Sequence, residues 1–184
     1  DPEVEVDTLH RVFEDAFGAL LRGEVENDDF NRLVVAALMP AHEIVVLRAY
    51  AKYMRQIGFA LSQGFIEATL AAHADIALAL VALFKLRFDP QHGVGTAARA
   101  TEQVLAIETA LEGVDKLSED RVLRQFLGLI LATTRTNFWR RDAAGRRAAS
   151  APRRSSSRRH RVSASCAGWR TYTRPRTRAA PPGS

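Results

Sequence analysis

The chain has 184 residues, of which 47% are hydrophobic, and this is enough to build the core of one domain. Its net charge of +5 averages two unlike parts: 11 of the 26 Lys and Arg residues lie after Asp142, whereas none of the 21 Asp and Glu residues do, so residues 1–142 carry −6. The single Cys166 excludes a disulfide framework and a cysteine-based zinc site and fits a reducing compartment. No apolar run approaches the roughly 20 residues of a membrane-spanning helix.

The first third of the chain predicts three helices. Apolar residues recur at intervals of three and four across residues 7–22, which is typical of one face of a helix, and Gly23 ends that helix. Asp28 or Asp29 is expected to cap the second helix. Pro40 suits the first turn of the third helix, because its missing N–H removes no hydrogen bond there.

The middle of the chain predicts two more helices, and the second of these should be the buried centre of the segment. Ser62 is expected to cap the fourth helix, and residues 73–75 separate it from the fifth. The fifth helix is apolar nearly all round, which is typical of a helix covered on every side. Asp89-Pro90 ends it, because the residue before a proline avoids the helical conformation.

Two helices and a strand complete the predicted body. Thr96 and Ser118 are expected to cap the sixth and seventh helices. From Thr133 onward the sequence is rich in β-branched and aromatic residues, which favour a strand. A lone strand has no partner in a helical segment, so we expect it to pair with residues that this chain does not supply. The predicted fold class is mainly α, with about seven helices and a short strand.

The chain divides into three predicted segments. Residues 1–132 form the helical region and residues 133–142 contain the start of the strand. Residues 143–184 form an Arg-rich tail that is expected to be disordered, because it lacks the apolar area that offsets the entropy cost of ordering. The chain begins with Asp1-Pro2-Glu3 and no initiator Met, which predicts a piece of a longer protein.

Two hypotheses account for the tail. Arginine clusters such as Arg158-Arg159-His160-Arg161 would bind nucleic acid without sequence preference, as the basic arm of a helical interaction module. The tail contains no Lys, however, and GC-rich codons read in the wrong frame encode chiefly Arg, Ala, Pro, Gly and Ser. We therefore favour an out-of-frame tail, which nucleotide sequencing across codons 140–147 would test.

No motif predicts a catalytic, cofactor-binding or metal site in this chain. The run Gly93-Val94-Gly95-Thr96-Ala97-Ala98 has the spacing of a dinucleotide-binding loop, but that loop requires a preceding strand, and here a long predicted helix precedes it. Cys166 lies in the tail, where nothing would hold a base against it. The remaining candidates are histidines without metal-ligand spacing: His10, His42, His73 and His92.

A basic stripe along the third helix could contact phosphate or an acidic partner. It consists of Arg48, Lys52 and Arg55 at intervals of four and three residues. We interpret it as a solvated face instead, because neighbouring turns carry Glu43 and Glu67, which can neutralise it.

Several stretches resemble, in the same order, the large bacterial NAD-specific glutamate dehydrogenases over about residues 9–142. They are Phe13-Glu14-Asp15-Ala16-Phe17, Phe30-Asn31-Arg32-Leu33-Val34, residues 47–58, Ser62-Gln63 with Phe65-Ile66-Glu67, Leu83-Phe84 with Arg87-Phe88-Asp89-Pro90, Leu117-Ser118-Glu119-Asp120-Arg121, and Thr134-Arg135-Thr136-Asn137-Phe138-Trp139. Two stretches depart from the family pattern: Met39-Pro40-Ala41-His42-Glu43 replaces a tryptophan-containing helix start, and the pattern ends after Gly145.

The resemblance implies an internal helical region that lies between ACT-like regulatory domains and a Rossmann-containing dehydrogenase domain. Residues 133–142 would then begin a catalytic domain that is missing here. The implied reaction of the parent is the NAD-dependent oxidative deamination of L-glutamate to 2-oxoglutarate and ammonia, in a cytoplasmic homo-oligomer. The family's catalytic lysine and glycine-rich substrate motif have no counterpart in this sequence. We therefore expect a non-catalytic fragment, whose partners are the parent's own domains, with no bound NAD.

Overall fold

A computed structural model of the chain describes residues 2–23, 25–91, 96–139 and 171–173. This part of the chain contains seven α-helices: α1 Pro2–Leu21, α2 Arg32–Ala36, α3 Ala41–Gln56, α4 Gln63–Ala72, α5 Ala74–Phe88, α6 Thr96–Glu112 and α7 Leu117–Ala132. A 3-10 turn, Asp29–Asn31, precedes α2, and two short strands, β1 Thr133–Thr136 and β2 Thr171–Thr173, follow α7. The prediction of a mainly α fold with about seven helices and a short strand is confirmed.

The local signals that end and begin the helices act as expected at several joints. Gly23 and Gly58 adopt the left-handed conformation, with φ of 67° and 79°, at the ends of α1 and α3. The Ser62 hydroxyl oxygen accepts a hydrogen bond from the Phe65 N–H at 3.2 Å, which caps α4 as predicted. Pro40 directly precedes α3.

Two of the predicted caps are wrong. Asp28 stands before the 3-10 turn, but its side chain makes no cap hydrogen bond, because both carboxylate oxygens accept hydrogen bonds from Arg48 instead. Ser118 lies inside the first turn of α7, which begins at Leu117 with Lys116 at the cap position. A cap prediction considers only neighbours along the chain and therefore misses the competition of Arg48 for Asp28.

Helix α5 is the centre of the core, as predicted. It packs against α3, α4, α6 and α7, and among its large apolar residues only Leu78, at 44% exposure, departs from the expected burial. Its buried residues are Ile76, Ala77, Leu80, Val81, Leu83 and Phe84. No single helix among the described residues has the length and apolar composition of a membrane span; α4 and α5 have them only together, and the chain bends by 97° between them.

Strand β1 pairs antiparallel with β2, with Thr133 opposite Thr173 and Thr136 opposite Thr171 and an irregularity between Thr133 and Arg135. The expectation that β1 finds its partner outside the chain is therefore wrong. An isolated strand has unpaired backbone N–H and C=O groups, which another segment can pair with. Here three residues of the tail, those of β2, pair with β1. Apart from β2, the predicted disordered tail lies outside the described residues.

Two members of the basic stripe of α3 pair with carboxylates other than the predicted ones, and the interpretation of the stripe as a solvated face is wrong for Arg48. Arg48 is buried, with 4% of its surface exposed, and its Nε and Nη2 donate to Asp28 Oδ2 and Oδ1 at 2.6 and 2.7 Å. Lys52 pairs with Glu26. Asp28 and Glu26 lie in the loop that leads to α2, so the stripe fastens this loop to α3.

The two predicted partners of the stripe are engaged elsewhere. Glu43 accepts a hydrogen bond from Lys85 Nζ on α5 at 2.7 Å. Glu67 is buried and accepts a hydrogen bond from Gln63 Nε2 at 2.7 Å, and the Gln63 side-chain oxygen in turn accepts one from Arg55 at 3.4 Å.

We predict that Arg48→Ala lowers the free energy of unfolding by about 3 kcal/mol, because it leaves the Asp28 carboxylate without its bidentate partner in a buried site. The control is Arg124→Ala, which removes an equally short Arg–Asp pair on the exposed face of α7. That loss should be about 0.5 kcal/mol or less. Urea unfolding followed by far-ultraviolet circular dichroism measures both, and equal losses would contradict the prediction.

Candidate functional site

Helix α7 contacts most of the helices that precede it in the body. Its buried residues recur at intervals of three and four along one face and pack against α3, α4 and α5, while α6 lies beside it. They are Val122, Leu123, Phe126, Leu127, Leu129 and Ile130. Polar contacts then hold the two ends of α7, and we refer to these contacts as the clamps of α7.

The first clamp lies in the first turn of α7. The Glu119 carboxylate contacts His73 Nε2 at 2.9 Å and accepts a hydrogen bond from Lys116 Nζ at 3.0 Å. Hydrogen bonds from His73 and then from Lys116 hold the pKa of Glu119 below its usual value. Because His73 separates α4 from α5, this carboxylate ties the start of α7 to the sharp bend between those helices.

The second clamp lies at the other end of α7 and is buried. Thr133 Oγ1 donates to the Leu129 carbonyl at 2.7 Å and lies 2.9 Å from the Tyr50 hydroxyl. Since the Thr133 hydroxyl has only one proton, Tyr50 is the donor of the second bond. Burial raises the pKa of Tyr50 to about 12. Tyr50 therefore ties α3 to the first residue of β1.

A cluster of aromatic rings around Phe84 surrounds the second clamp. The Phe138 ring meets Phe84 edge-on at 5.6 Å, and the Trp139 ring stacks on it at 5.5 Å with an interplanar angle of 10°. Tyr50 adds a second edge-on contact at 6.2 Å. Rings in these arrangements contribute beyond their buried area. The segment that follows β1 is thus anchored to the central helix.

In the sequence, these aromatic residues indicate only a strand. The patterns of Phe138 and Trp139 predict local conformation, whereas their contact with Phe84 joins residues more than 50 positions apart. The hydroxyl pair of Tyr50 and Thr133 was missed for the same reason. A tyrosine on an otherwise buried face is the one signal in the sequence, because a buried phenol requires a hydrogen-bond partner.

The residues weighed as possible site residues remain apart in the described part of the chain. His10 lies near Glu14 at 3.8 Å on exposed α1, and His42 lies near Glu43 at 3.9 Å. His73 belongs to a contact between distant helices, with Glu119 on α7. The described residues contain no group of three or more His, Cys, Asp or Glu side chains arranged to hold a metal ion.

The glycine-rich loop does not have the setting of a dinucleotide site. Helix α5 precedes it, not a strand, and α6 begins at Thr96. His92 and the glycines themselves lie outside the described residues. Cys166 and the arginine clusters of the tail also lie outside them.

Comparison with known proteins finds two successive family matches, separated by residues 91–105. Residues 25–90 match the family "Glutamate dehydrogenase, helical motif 3", and residues 106–158 match "Bacterial NAD-glutamate dehydrogenase, catalytic domain". The second match begins inside α6, includes α7 and β1, and extends to residue 158. The expectation that the family pattern ends after Gly145 is therefore wrong.

Three curated relatives, each named NAD-specific glutamate dehydrogenase, match most of the chain. The protein of Halomonas elongata is 40% identical over 146 residues, which are 78% of this chain and 9% of that protein. The protein of Pseudomonas aeruginosa is 42% identical over 147 residues, again 78% and 9%. The protein of Mycobacterium tuberculosis is 42% identical over 134 residues, which are 72% of this chain and 8% of that protein. The chain therefore spans less than a tenth of the length of these relatives.

Both clamps of α7 cross from one family match to the other. Tyr50, His73 and Phe84 belong to the helical-motif match, and their partners Thr133, Glu119 and Phe138 belong to the catalytic-domain match. One hydrophobic core includes residues of both. The two matched segments are thus one packed body in this chain.

We predict that Thr133→Val lowers the free energy of unfolding by about 2 kcal/mol, because it leaves the buried Tyr50 hydroxyl without an acceptor. Thr109→Val is the matched control: Thr109 also donates to the carbonyl four residues earlier, at 2.9 Å, but on the exposed face of α6. The control should change stability by about 0.5 kcal/mol or less. Urea unfolding compares the two variants, and equal effects would count against a buried clamp.

The raised pKa of Tyr50 predicts that the free energy of unfolding depends on pH above pH 10. Its pKa rises from 10.0 to about 12 on folding, so the unfolded chain releases this proton first, and the stability from Tyr50, complete below pH 10, is lost as the pH rises toward 12. The free energy of unfolding should fall by up to about 1.4 kcal/mol per pH unit more steeply in the wild-type chain than in Tyr50→Phe. Urea unfolding between these two pH values measures the difference, and parallel slopes would refute the assignment.

Proposed function

Because this chain belongs to the family of bacterial NAD-specific glutamate dehydrogenases, we propose that it is an internal, non-catalytic segment of such an enzyme. The parent enzyme oxidises L-glutamate to 2-oxoglutarate with release of ammonia and reduction of NAD. The role of the segment is to hold the beginning of the catalytic domain rigidly against the helical motif. Family membership supports the reaction, and the clamps of α7 support the role.

One observation carries the proposed role: the core does not stop at the border between the two family matches. Tyr50 and Phe84 from the first match are buried against Thr133 and Phe138 from the second. A flexible linker would instead expose its polar residues and bury little apolar surface. Since β1 follows directly from α7, the direction in which the chain enters the following domain is fixed by α3 and α5.

The described residues do not fit the NAD of the proposed reaction. The dinucleotide-like loop follows a helix, and a strand is needed before such a loop to align the pyrophosphate with a helix N-terminus. We therefore assign NAD binding to other parts of the parent polypeptide.

We extend the proposal to the setting of the parent enzyme. It is expected to be a cytoplasmic homo-oligomer, in which this segment contacts the parent's own regulatory and catalytic domains. The alternative, a helical module with a nucleic-acid-binding tail, has less support. Several basic side chains on the described helices, among them Arg48, Lys52 and Lys85, already pair with carboxylates, and the family matches reach through residue 158.

Formation of NADH from L-glutamate and NAD tests the proposed function. We expect turnover by the full-length polypeptide that contains this segment and none by the 184-residue chain. In the full-length polypeptide, His73→Ala combined with Thr133→Val should lower turnover severalfold, because the start of the catalytic domain is no longer held at both ends of α7. The control variant Thr109→Val should retain the wild-type rate.

Each result tests a different part of the proposal: the non-catalytic assignment, the reaction or the connecting role. Turnover by the short chain would refute the non-catalytic assignment. A full-length polypeptide that is folded but inactive on L-glutamate would refute the reaction. Unchanged turnover in the double variant would refute the connecting role and leave the reaction intact.

A further inference from the structure

Helix α1 carries an apolar stripe that faces away from the body. The stripe consists of Phe13, Phe17 and Leu21, which are 51%, 52% and 73% exposed. Their spacing of four residues aligns them along one side of the helix. The rings of Phe13 and Phe17 stack on each other, with centroids 6.3 Å apart and an interplanar angle of 7°, so the stripe presents one continuous surface.

The stripe lies about 100° around α1 from the residues that pack on the body, because its members directly follow those residues in sequence. Val12 and Ala16 pack against the core, and α1 contacts α2 and α3. A surface helix of a globular protein needs one apolar face, whereas a helix that lies between two packed layers needs two. Exposed aromatic patches of this kind mark interaction surfaces. The body therefore holds α1 in position and leaves its outer face ready for a partner.

The edge of the stripe is acidic and indicates the charge of the partner. Helical geometry places Asp7, His10 and Glu14 along this edge, and all three are exposed. A partner whose apolar residues cover the stripe would bring its own flanking residues beside these carboxylates. Lys and Arg at those flanking positions would complement them.

The relatives indicate where such a partner is found. This chain covers only 8–9% of their length, so most of the polypeptide that could lie against α1 is outside it. Helix α1 precedes both family matches, and the first of these is numbered as the third helical motif of its family. We propose that the stripe docks an amphipathic helix from another helical part of the same polypeptide, with an apolar face bordered by Lys or Arg.

A second copy of this chain would fit the stripe less well. A symmetric pair uses the same surface twice, so two antiparallel α1 helices packed stripe to stripe would bring the acidic edge of each against that of the other. Like charges at such an edge are unfavourable. The proposal rests on the family membership behind the proposed function, but its test does not depend on glutamate turnover.

The test measures how fast cysteines introduced into α1 react with a polar maleimide, read peptide by peptide by mass spectrometry. Phe17→Cys probes the stripe, and Asp15→Cys is the control on an exposed polar side of the same helix. In the 184-residue chain both should react at similar rates at all protein concentrations. In the full-length polypeptide Phe17→Cys should react about tenfold more slowly than Asp15→Cys, because the docked helix must open first.

A photo-crosslinking phenylalanine analogue at position 17 of the full-length polypeptide then identifies the occupant. Crosslinks to a helix of the same polypeptide outside residues 2–158, with Lys or Arg beside its apolar face, would support the proposal. Equal cysteine rates in the full-length polypeptide would overturn it. Slowing of Phe17→Cys in the short chain at high concentration only, or a crosslink between two α1 helices, would also overturn it, in favour of a second copy.

Discussion

The burial of α5 is the constraint on which the rest of the structure depends. Its sequence leaves almost no polar side, so every neighbour must contribute apolar surface to cover it. Helices α3 and α4 come from the stretch that matches a helical motif, and α7 comes from the stretch that matches a catalytic domain. Covering α5 therefore requires both stretches at once, which explains why a border between family matches is not a border in the core.

Apolar burial alone would allow α7 to slide or rotate, and the polar contacts remove this freedom. Hydrophobic packing is non-directional, whereas a hydrogen bond restricts distance and angle. Glu119 restrains one end of α7 through His73, and Thr133 restrains the other through Tyr50. The Arg48–Asp28 pair does the same for the loop before α2. In each case a directional contact joins elements that the hydrophobic core has already brought together.

The sequence predicts the local part of this structure well. Periodic apolar residues, Ser62, Gly23 and Asp89-Pro90 define helices whose bounds depend on near neighbours. Predictions failed where a distant residue competed for a side chain, as Arg48 does for Asp28, or where a short segment supplied an unforeseen partner, as β2 does for β1. The candidate site could not be predicted, because its hydroxyl pair and its stacked rings join residues that no sequence period relates. The domain division at residue 132 stays a prediction.

The separation of Tyr50 and Thr133 along the chain also bears on biosynthesis. The two hydroxyl groups are 83 residues apart in sequence, so their bond belongs to the late, non-local contacts of folding. During translation, the helical motif emerges from the ribosome first and lacks the residues that complete its core. Until α7 and β1 are synthesised, the apolar surface of α5 remains partly exposed. The segment that matches the catalytic domain is thus also the last structural piece of the helical motif that precedes it.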